Sequence, residues 1–198
     1  DEENILISFY ASSQGVPKVI SKVNRDELSI IAEKLGLESL ISSKNVSSIN
    51  LGALNKIGEY AFFETAITVM PSFTVDTEIG KYAFSFSDIT EVTIPDTVQT
   101  IAESAFAGNG RLTNVTLGKH VSAIQPRAFK DCTQLKSITL PTSLRIIGAE
   151  AFRGCTALAT VNYSGALAQW ELVTKNANWF RDIPATNVKC TDGEIAIA

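Results

Sequence analysis

A short motif that recurs at a nearly constant interval is the strongest constraint on how this chain can fold. The motif is Ile-x-x-x-Ala-Phe, which occurs five times between residues 57 and 152. Its phenylalanines are separated by 22, 22, 23 and 23 residues, and they are half of the ten phenylalanines in the chain. They are Phe62, Phe84, Phe106, Phe129 and Phe152. A period of this length indicates a solenoid, in which each repeat buries its apolar side chains against its neighbours.

The most regular copies show what else each period contains. Residues 135–140 read Leu-Lys-Ser-Ile-Thr-Leu, and residues 112–117 repeat the same alternation of apolar and polar side chains. Such alternation predicts a short half-buried strand, which Pro141 and Gly118 end. The Ala-Phe segment that follows is too short for an ordinary helix. We therefore expect parallel strands on successive coils and a buried column of stacked phenylalanines.

These residues closely resemble the BspA-type leucine-rich repeats, a variety of about 23 residues that is found on bacterial and protozoan surface proteins. The resemblance rests on Leu-x-x-Ile/Val-x-Leu/Ile-Pro/Gly, on Ile-x-x-x-Ala-Phe, and on Gly/Asp-Cys-Thr-x-Leu at residues 131–135 and 154–158. It implies a repeat solenoid: a right-handed leucine-rich-repeat coil with short parallel strands, a helical N-terminal cap and a small C-terminal helix/hairpin cap. It also implies an extracellular or cell-surface location and a non-enzymatic role.

The pattern divides the chain into three regions. Residues 1–45 are expected to form the N-terminal cap, with an amphipathic helix at about 24–36. Residues 46–163 hold about five repeats, of which the first are degenerate and leave the strand register before residue 79 undefined. Residues 164–198 are expected to form the C-terminal cap, with a short helix and then a hairpin that turns at Asp192-Gly193.

Composition excludes several classes of protein. The hydrophobic share of 45% excludes intrinsic disorder, and no apolar run approaches the length of a membrane span. A net charge of −4 argues against a nucleic-acid partner. The sequence opens Asp-Glu-Glu-Asn without a basic or apolar leader, so we expect any targeting segment to have been removed. An acidic start of this kind would suit the spacer after a lipid-anchored cysteine.

No arrangement of residues indicates catalysis, a metal or a cofactor. His120 is the only histidine, follows a predicted strand and has no nucleophile or orienting partner at a familiar spacing. Glu59, Glu103 and Glu150 are expected on the outer surface rather than paired in a cleft. No phosphate loop, zinc signature or calcium loop occurs. The chain is therefore expected not to be an enzyme.

Cys132 and Cys155 occupy the same position of successive repeats, where other copies have Ser87 and Asn109. We expect a column of small polar residues that turn inward and satisfy backbone groups of the turns. The alternatives are a metal pair or a disulfide between neighbouring coils. Cys190 lies in the tail and completes no metal quartet.

Charge is distributed unevenly along the repeats. Residues 76–103 hold six acidic residues against one lysine, whereas residues 111–153 hold seven basic residues against two acidic ones. One interpretation is a basic half that engages an anionic glycan or an acidic partner. The other is that these cations point in different directions and form no groove.

The strand face is the candidate ligand-binding surface. The period of two in a strand turns one column of threonines outward, and its polar neighbours stand beside it. Because adjacent strands lie about 4.8 Å apart, we expect a continuous strip. Its members are Glu91, Thr93, Asn114, Thr116, Lys136, Ser137, Thr139, Thr160 and Asn162.

These observations favour a monomeric cell-surface or secreted recognition and adhesion module that binds a protein or glycan of a host or neighbouring cell. One alternative is a structural spacer or assembly module, whose uneven charge promotes head-to-tail association. Another is an accessory domain of a larger carbohydrate-active protein.

Overall fold

The structure is a computed structural model that describes residues 19–20, 56–70 and 78–197. Within them the chain winds into a solenoid of short strands that pair in parallel, as the repeat predicts. The helix expected at 24–36 lies outside the described residues, and the boundaries of the three regions remain predictions. Val19–Ile20 (β1) pairs in parallel with Lys56–Ile57 (β2), so a segment of the expected N-terminal cap extends a sheet of the solenoid.

The longer strands form one side of each coil. They are β4 (Glu91–Thr93), β6 (Asn114–Thr116), β8 (Ser137–Leu140), β10 (Thr160–Tyr163) and β12 (Asn187–Cys190). β4 pairs with β6, and β8, β10 and β12 form a parallel sheet whose edge strand, β13 (Gly193–Ala196), runs antiparallel to β12. Apolar and polar residues alternate in these strands, so one side chain in two is buried.

A second set of two-residue strands lies between each longer strand and its phenylalanine. β1, β2 and β3 (Glu78–Ile79) form one parallel stack. The other stack joins β5 (Thr100–Ile101), β7 (Ala123–Ile124), β9 (Ile146–Ile147) and β11 (Thr174–Lys175). These strands carry the isoleucine of the motif, which is buried wherever the motif is complete.

The segment around each phenylalanine is a turn, which we call the turn segment, and not a helix. In the copy around Phe129, Arg127 and Asp131 have φ values of 60° and 59°, the left-handed region that few side chains adopt. The same two positions are left-handed in every described copy. In all copies, backbone N–H groups of the segment donate to carbonyl groups of the next coil at 2.7–3.2 Å. The N–H groups between them donate within the turn, as Lys130 does to the Arg127 carbonyl at 3.1 Å, so each turn satisfies its polar backbone partly through its neighbour and partly within itself.

The coils are numbered by the residue at the phenylalanine position of the turn segment. Coils 1 to 6 carry Phe62, Phe84, Phe106, Phe129, Phe152 and Phe180. The first five rings are at most 8% exposed and stack face to face, with centroids 5.0–5.5 Å apart and planes within 7°. The predicted phenylalanine column is confirmed.

The sixth coil is a degenerate copy that the motif does not reveal. The N–H of Phe152 donates to the carbonyl of Trp179, as Phe129 does to that of Ala151. This places Phe180 at the phenylalanine position and Trp179 at the alanine position. Lys175 pairs with Ile147 and so takes the isoleucine position, where its Nζ donates to two backbone carbonyls at 2.8 and 2.9 Å.

The C-terminal elements are a short helix, α1 (Leu167–Glu171), and the β12–β13 hairpin. The helix lies inside residues 164–198, the region predicted to form the C-terminal cap. The hairpin turn is displaced by one residue, because Cys190 pairs with Gly193 and leaves Thr191 and Asp192 as the loop. At residues 69–70 the register is defined, since a bridge joins Val69 to Glu91 and leaves Met70 buried as Val92 is.

Candidate functional site

All nine residues of the predicted strand face point away from the core. Glu91, Asn114, Lys136 and Ser137 are exposed, and so are the three threonines of the central column. Thr160 and Asn162 are half-buried. The residues between them, such as Val115 and Ile138, are at most 6% exposed. The period-two rule therefore placed these side chains correctly, although placement alone does not assign them a ligand.

The strand face is built on two hydrogen-bonded ladders, and the expectation of one continuous strip stays a prediction. Ladder pairs join Thr93 to Thr116 and Thr139 to Asn162. Among the described residues no ladder pair joins β6 to β8, although the two strands lie side by side. These two coils are held together by the pairing of β7 with β9, by their turn segments and by the hydroxyl of Thr133, which donates to the Gly110 carbonyl at 3.3 Å.

The second half of the strand face continues into the C-terminal hairpin. Lys189 of β12 pairs with Asn162, and its Nζ lies 4.0 Å from a carboxylate oxygen of Glu194 on β13. The amide of Asn187 donates to the same carboxylate at 3.3 Å. Sequence analysis assigned this segment to the cap and missed its contribution. The alternation Asn-Val-Lys-Cys at 187–190 was the available signal.

The inward polar column is confirmed as a structural device. Ser87, Asn109, Cys132 and Cys155 are buried and donate to the carbonyl of the phenylalanine in the preceding coil, at 2.8–3.2 Å. Their donors thus join each turn segment to the one before it through hydrogen bonds to buried carbonyl groups. The cysteines are free, so the disulfide alternative is wrong. Within the described ranges, no three His, Cys, Asp or Glu side chains are grouped as metal ligands.

This arrangement predicts the order in which the thiols react. Burial raises the pKa of the Cys132 thiol well above its usual value, and thiolate is the reactive form. Burial also raises the pKa of Cys190, but that side chain is only half-buried. We expect a maleimide reagent to modify Cys190 first, and Cys132 and Cys155 only after denaturation, as followed by peptide mass spectrometry. Modification of Cys132 in the folded protein would contradict the buried column.

The acidic and basic halves of the repeats neutralise each other across coils. Lys119 Nζ lies 2.8 Å from an oxygen of Asp96, and the Arg127 guanidinium lies 4.0 Å from Glu103 and 3.1 Å from Glu150. Arg127 and then Arg153 hold the pKa of the Glu150 carboxyl below its usual range. Glu103 and Glu150 are half-buried and pair with arginine side chains at the surface of the turns, which agrees with the expected position on the outer surface. Four of the seven cations in residues 111–153 are thus paired with carboxylates: Arg111, Lys119, Arg127 and Arg153.

His120 is an exposed turn residue, as expected. Its Nδ1 lies 2.8 Å from the carbonyl oxygen of Asp96 in the preceding coil, so it donates a hydrogen bond there. The backbone N–H of Lys119 donates to the Asp96 carboxylate at 2.8 Å, and this bond and the ion pair lower the pKa of that carboxyl. Together these contacts fasten one turn to the next.

An exposed aromatic cluster on the turn segments of coils 1 and 2 was missed. Tyr60 stacks on Tyr82 with centroids 4.8 Å apart, and Phe63 contacts Tyr60 and Phe86 edge to face at 5.5 and 5.8 Å. Phe86 is 56% and Tyr60 37% exposed, while Phe63 and Tyr82 are half-buried. We call these four residues the aromatic platform. The signal was an aromatic residue two before the motif phenylalanine in both coils, one after it in coil 1 and two after it in coil 2, positions where coils 3 to 6 carry none.

The fold and its surfaces define a leucine-rich-repeat solenoid. The family model of the BspA type leucine rich repeat region matches residues 77–177 with six copies, and the chain belongs to this family. No curated protein matches the sequence.

Two solved structures show the likeness in three dimensions. The pneumococcal vaccine antigen PcpA is 25% identical with a TM-score of 0.52, over 60% of this chain and 30% of that one. The leucine rich repeat protein TpLRR of T. pallidum is 21% identical with a TM-score of 0.50, over 74% of this chain and 59% of that one. The chain thus spans under a third of PcpA and about three fifths of TpLRR.

Membership in this family has general consequences. Its members are typically bacterial surface proteins and are generally repeat proteins without enzymatic activity, and the fold suggests a module for protein interaction. In the part of the chain that the structure describes, no helix is long and apolar enough to cross a membrane.

Proposed function

We propose that this chain is a non-enzymatic recognition and adhesion module at a bacterial cell surface, monomeric, which binds a protein or glycan of a host through its strand face. The exposed polar column on β4, β6, β8 and β10 is the observation that supports the proposal. Strands with one buried side hold these side chains on rigid elements, so a ligand meets a surface that needs little ordering.

The chemistry of the strand face suits a hydrogen-bonded ligand. Thr116 and Thr139 offer hydroxyl groups, and Asn114 and Asn162 offer amides that both donate and accept. Tryptophan, tyrosine and arginine, which dominate the binding energy of most interfaces, do not occur among its nine residues. We therefore expect modest affinity from the strand face alone.

The spacer and assembly alternative has weaker support. It depended on coils of opposite charge at the two ends of the solenoid, but four of the seven cations in residues 111–153 pair with carboxylates of their own and neighbouring coils. This pairing leaves less charge of one sign to drive head-to-tail association. A role as accessory domain of a larger carbohydrate-active protein stays the other alternative.

Introducing positive charge into the strand face tests this proposal. A glycan and matrix-protein array first identifies a ligand of the full chain. The double variant Thr116→Lys with Thr139→Lys is then expected to lose measurable binding to it, because two added cations interrupt the polar column. Both side chains point to solvent, so the change in unfolding free energy should stay within about 0.5 kcal/mol.

The matched control adds the same two charges elsewhere. Thr100→Lys with Thr174→Lys changes exposed threonines of β5 and β11, away from the strand face, and should keep the affinity of the unmodified chain. Equal affinities of the two double variants, with both proteins folded, would place the ligand on another surface.

A further inference from the structure

The aromatic platform stands out when equivalent positions of the coils are compared. Two residues before the phenylalanine, coils 1 and 2 carry tyrosine, whereas coil 3 carries Ser104 and coil 4 Arg127. Two residues after it, coil 2 carries Phe86, whereas coil 3 carries Gly108. Coils 3 and 4 form the same turn without an aromatic residue at either position. The fold therefore does not require these rings.

The rings are also placed where they cost stability rather than add to it. Tyr60, Tyr82 and Phe86 have φ values of 59°, 55° and 55°, a left-handed conformation that a bulky side chain disfavours. The Phe86 ring lies over Gly108, whose missing Cβ leaves room for it, yet more than half of this side chain is exposed. Contiguous exposed rings on a strained backbone point to binding rather than to folding.

Two carboxylates flank the rings. Glu59 precedes Tyr60, and Glu64 follows Phe63 and holds in coil 1 the position that Phe86 holds in coil 2. Both are exposed, and neither makes an ion pair with a described residue. Lys81, which precedes Tyr82 in coil 2, lies 3.3 Å from Glu103 and is neutralised by that carboxylate. The platform is thus an aromatic surface with negative charge at its edge.

We propose that the aromatic platform is a second binding site, which receives an arginine- or lysine-rich segment of a partner protein. Guanidinium and ammonium groups are attracted to the faces of aromatic rings, where the π-system is negative, and most strongly where water is displaced. The adjacent carboxylates of Glu59 and Glu64 then pair with the same cations. Tyrosine and arginine are the residues that carry interface binding energy, and the strand face lacks both.

A second copy of this chain fits the platform less well than a basic partner. The turn segments of coils 4 to 6 would have to supply the cations, and there four basic residues stand beside three acidic ones. Three of the four are already paired: Arg127 with Glu150 at 3.1 Å, Arg153 with Glu150 at 2.8 Å, and Arg181 with Asp182 at 3.8 Å. Binding would first have to break these pairs.

The test uses the full chain and fluorescein-labelled nona-arginine as the probe, with binding followed by fluorescence anisotropy. The variant Tyr82→Ser with Phe86→Gly replaces two rings by the residues that coil 3 carries at the same positions. We expect its affinity for nona-arginine to fall about tenfold, the sum of two exposed cation–π contacts, and its melting temperature to stay equal or rise. Tyr82→Phe with Phe86→Tyr keeps both rings and should keep the affinity.

A charge control separates the platform from general attraction to the acidic coils. Glu91→Gln removes one carboxylate of the strand face and should leave the affinity for nona-arginine nearly unchanged. Equal losses in this control and in the ring variant would overturn the proposal, and so would unaltered binding by the ring variant. If the platform bound neutral chitohexaose instead of nona-arginine, and did so only with its rings present, its ligand would be a glycan. If the chain dimerised in sedimentation only with the rings present, the ligand would be a second copy of the chain. Either result overturns the proposal. Because the two surfaces are separate, none of these outcomes decides the strand-face proposal.

Discussion

Replacing Phe129 with alanine is expected to lower the free energy of unfolding by about 3–5 kcal/mol, the usual cost of removing a buried phenylalanine. The ring is fully buried and stacks on Phe106 and Phe152, both with centroids 5.5 Å away. Its removal leaves a cavity between two coils, and the rings on either side each lose a partner. Backbone hydrogen bonds between successive turn segments hold these coils in place, so the cavity cannot easily collapse.

Phe86→Ala is the matched control for this variant, because it removes the same side chain from a position that is 56% exposed. Chemical denaturation followed by circular dichroism measures both. The control should change the unfolding free energy by less than about 1 kcal/mol, since little of that ring leaves water on folding. Comparable effects in the two variants would contradict the assignment of Phe129 to the continuous core column.

The regular coils could be predicted from the sequence because each of their features is repeated. Once Phe106 and Phe129 are aligned, a column of inward residues follows, and the shared position of Asn109 and Cys132 indicates one structural role. The structure shows that role to be donation to the carbonyl of the preceding phenylalanine. Outward residues of the strands were equally predictable, since a period of two fixes which side chains face solvent.

Other features depend on conformation that the pattern does not carry. The left-handed residues on either side of each phenylalanine decide which side chains project from the turn, and Tyr60, Tyr82 and Phe86 are of types that seldom adopt that conformation. Their cluster was therefore not anticipated. The ion pairs between Arg127 and its carboxylates were missed for a related reason. They join neighbouring coils, so only the superposition of one coil on the next brings the charges together.

The last coil could not be predicted from the motif, because both its spacing from the preceding coil and its motif residues change. The insertion of α1 lengthens the interval from Phe152 to Phe180 to 28 residues, and Lys175 and Trp179 replace the isoleucine and alanine of the motif. These replacements suit the end of a solenoid, where no further coil covers the core. Lys175 turns its Nζ to the carbonyls of Trp170 and Val173 and lies 4.6 Å from the Trp170 ring centroid.

Trp179 is expected to carry much of the stability of this C-terminal end. It is 3% exposed, and its ring contacts those of Phe152, Trp170 and Phe180 with centroids 6.3, 6.0 and 5.3 Å away. Trp179→Ala restores the residue that the motif has at this position, but it leaves the space beneath the last coil unfilled. We expect a loss of about 3–5 kcal/mol in that coil.

The loss should be confined to the C-terminal end, because each coil of a solenoid contacts only its neighbours. Hydrogen exchange measures this coil by coil: the N–H of Phe152, which donates to the Trp179 carbonyl at 2.8 Å, should lose most of its protection, whereas that of Phe84 should keep it. The control Leu172→Ala removes an apolar side chain of the same region that is 81% exposed, and it should leave both groups protected. Uniform loss of protection from coil 2 to coil 6 in the Trp179 variant would mean that the solenoid unfolds as a single unit, and that the last coil is not a separable cap.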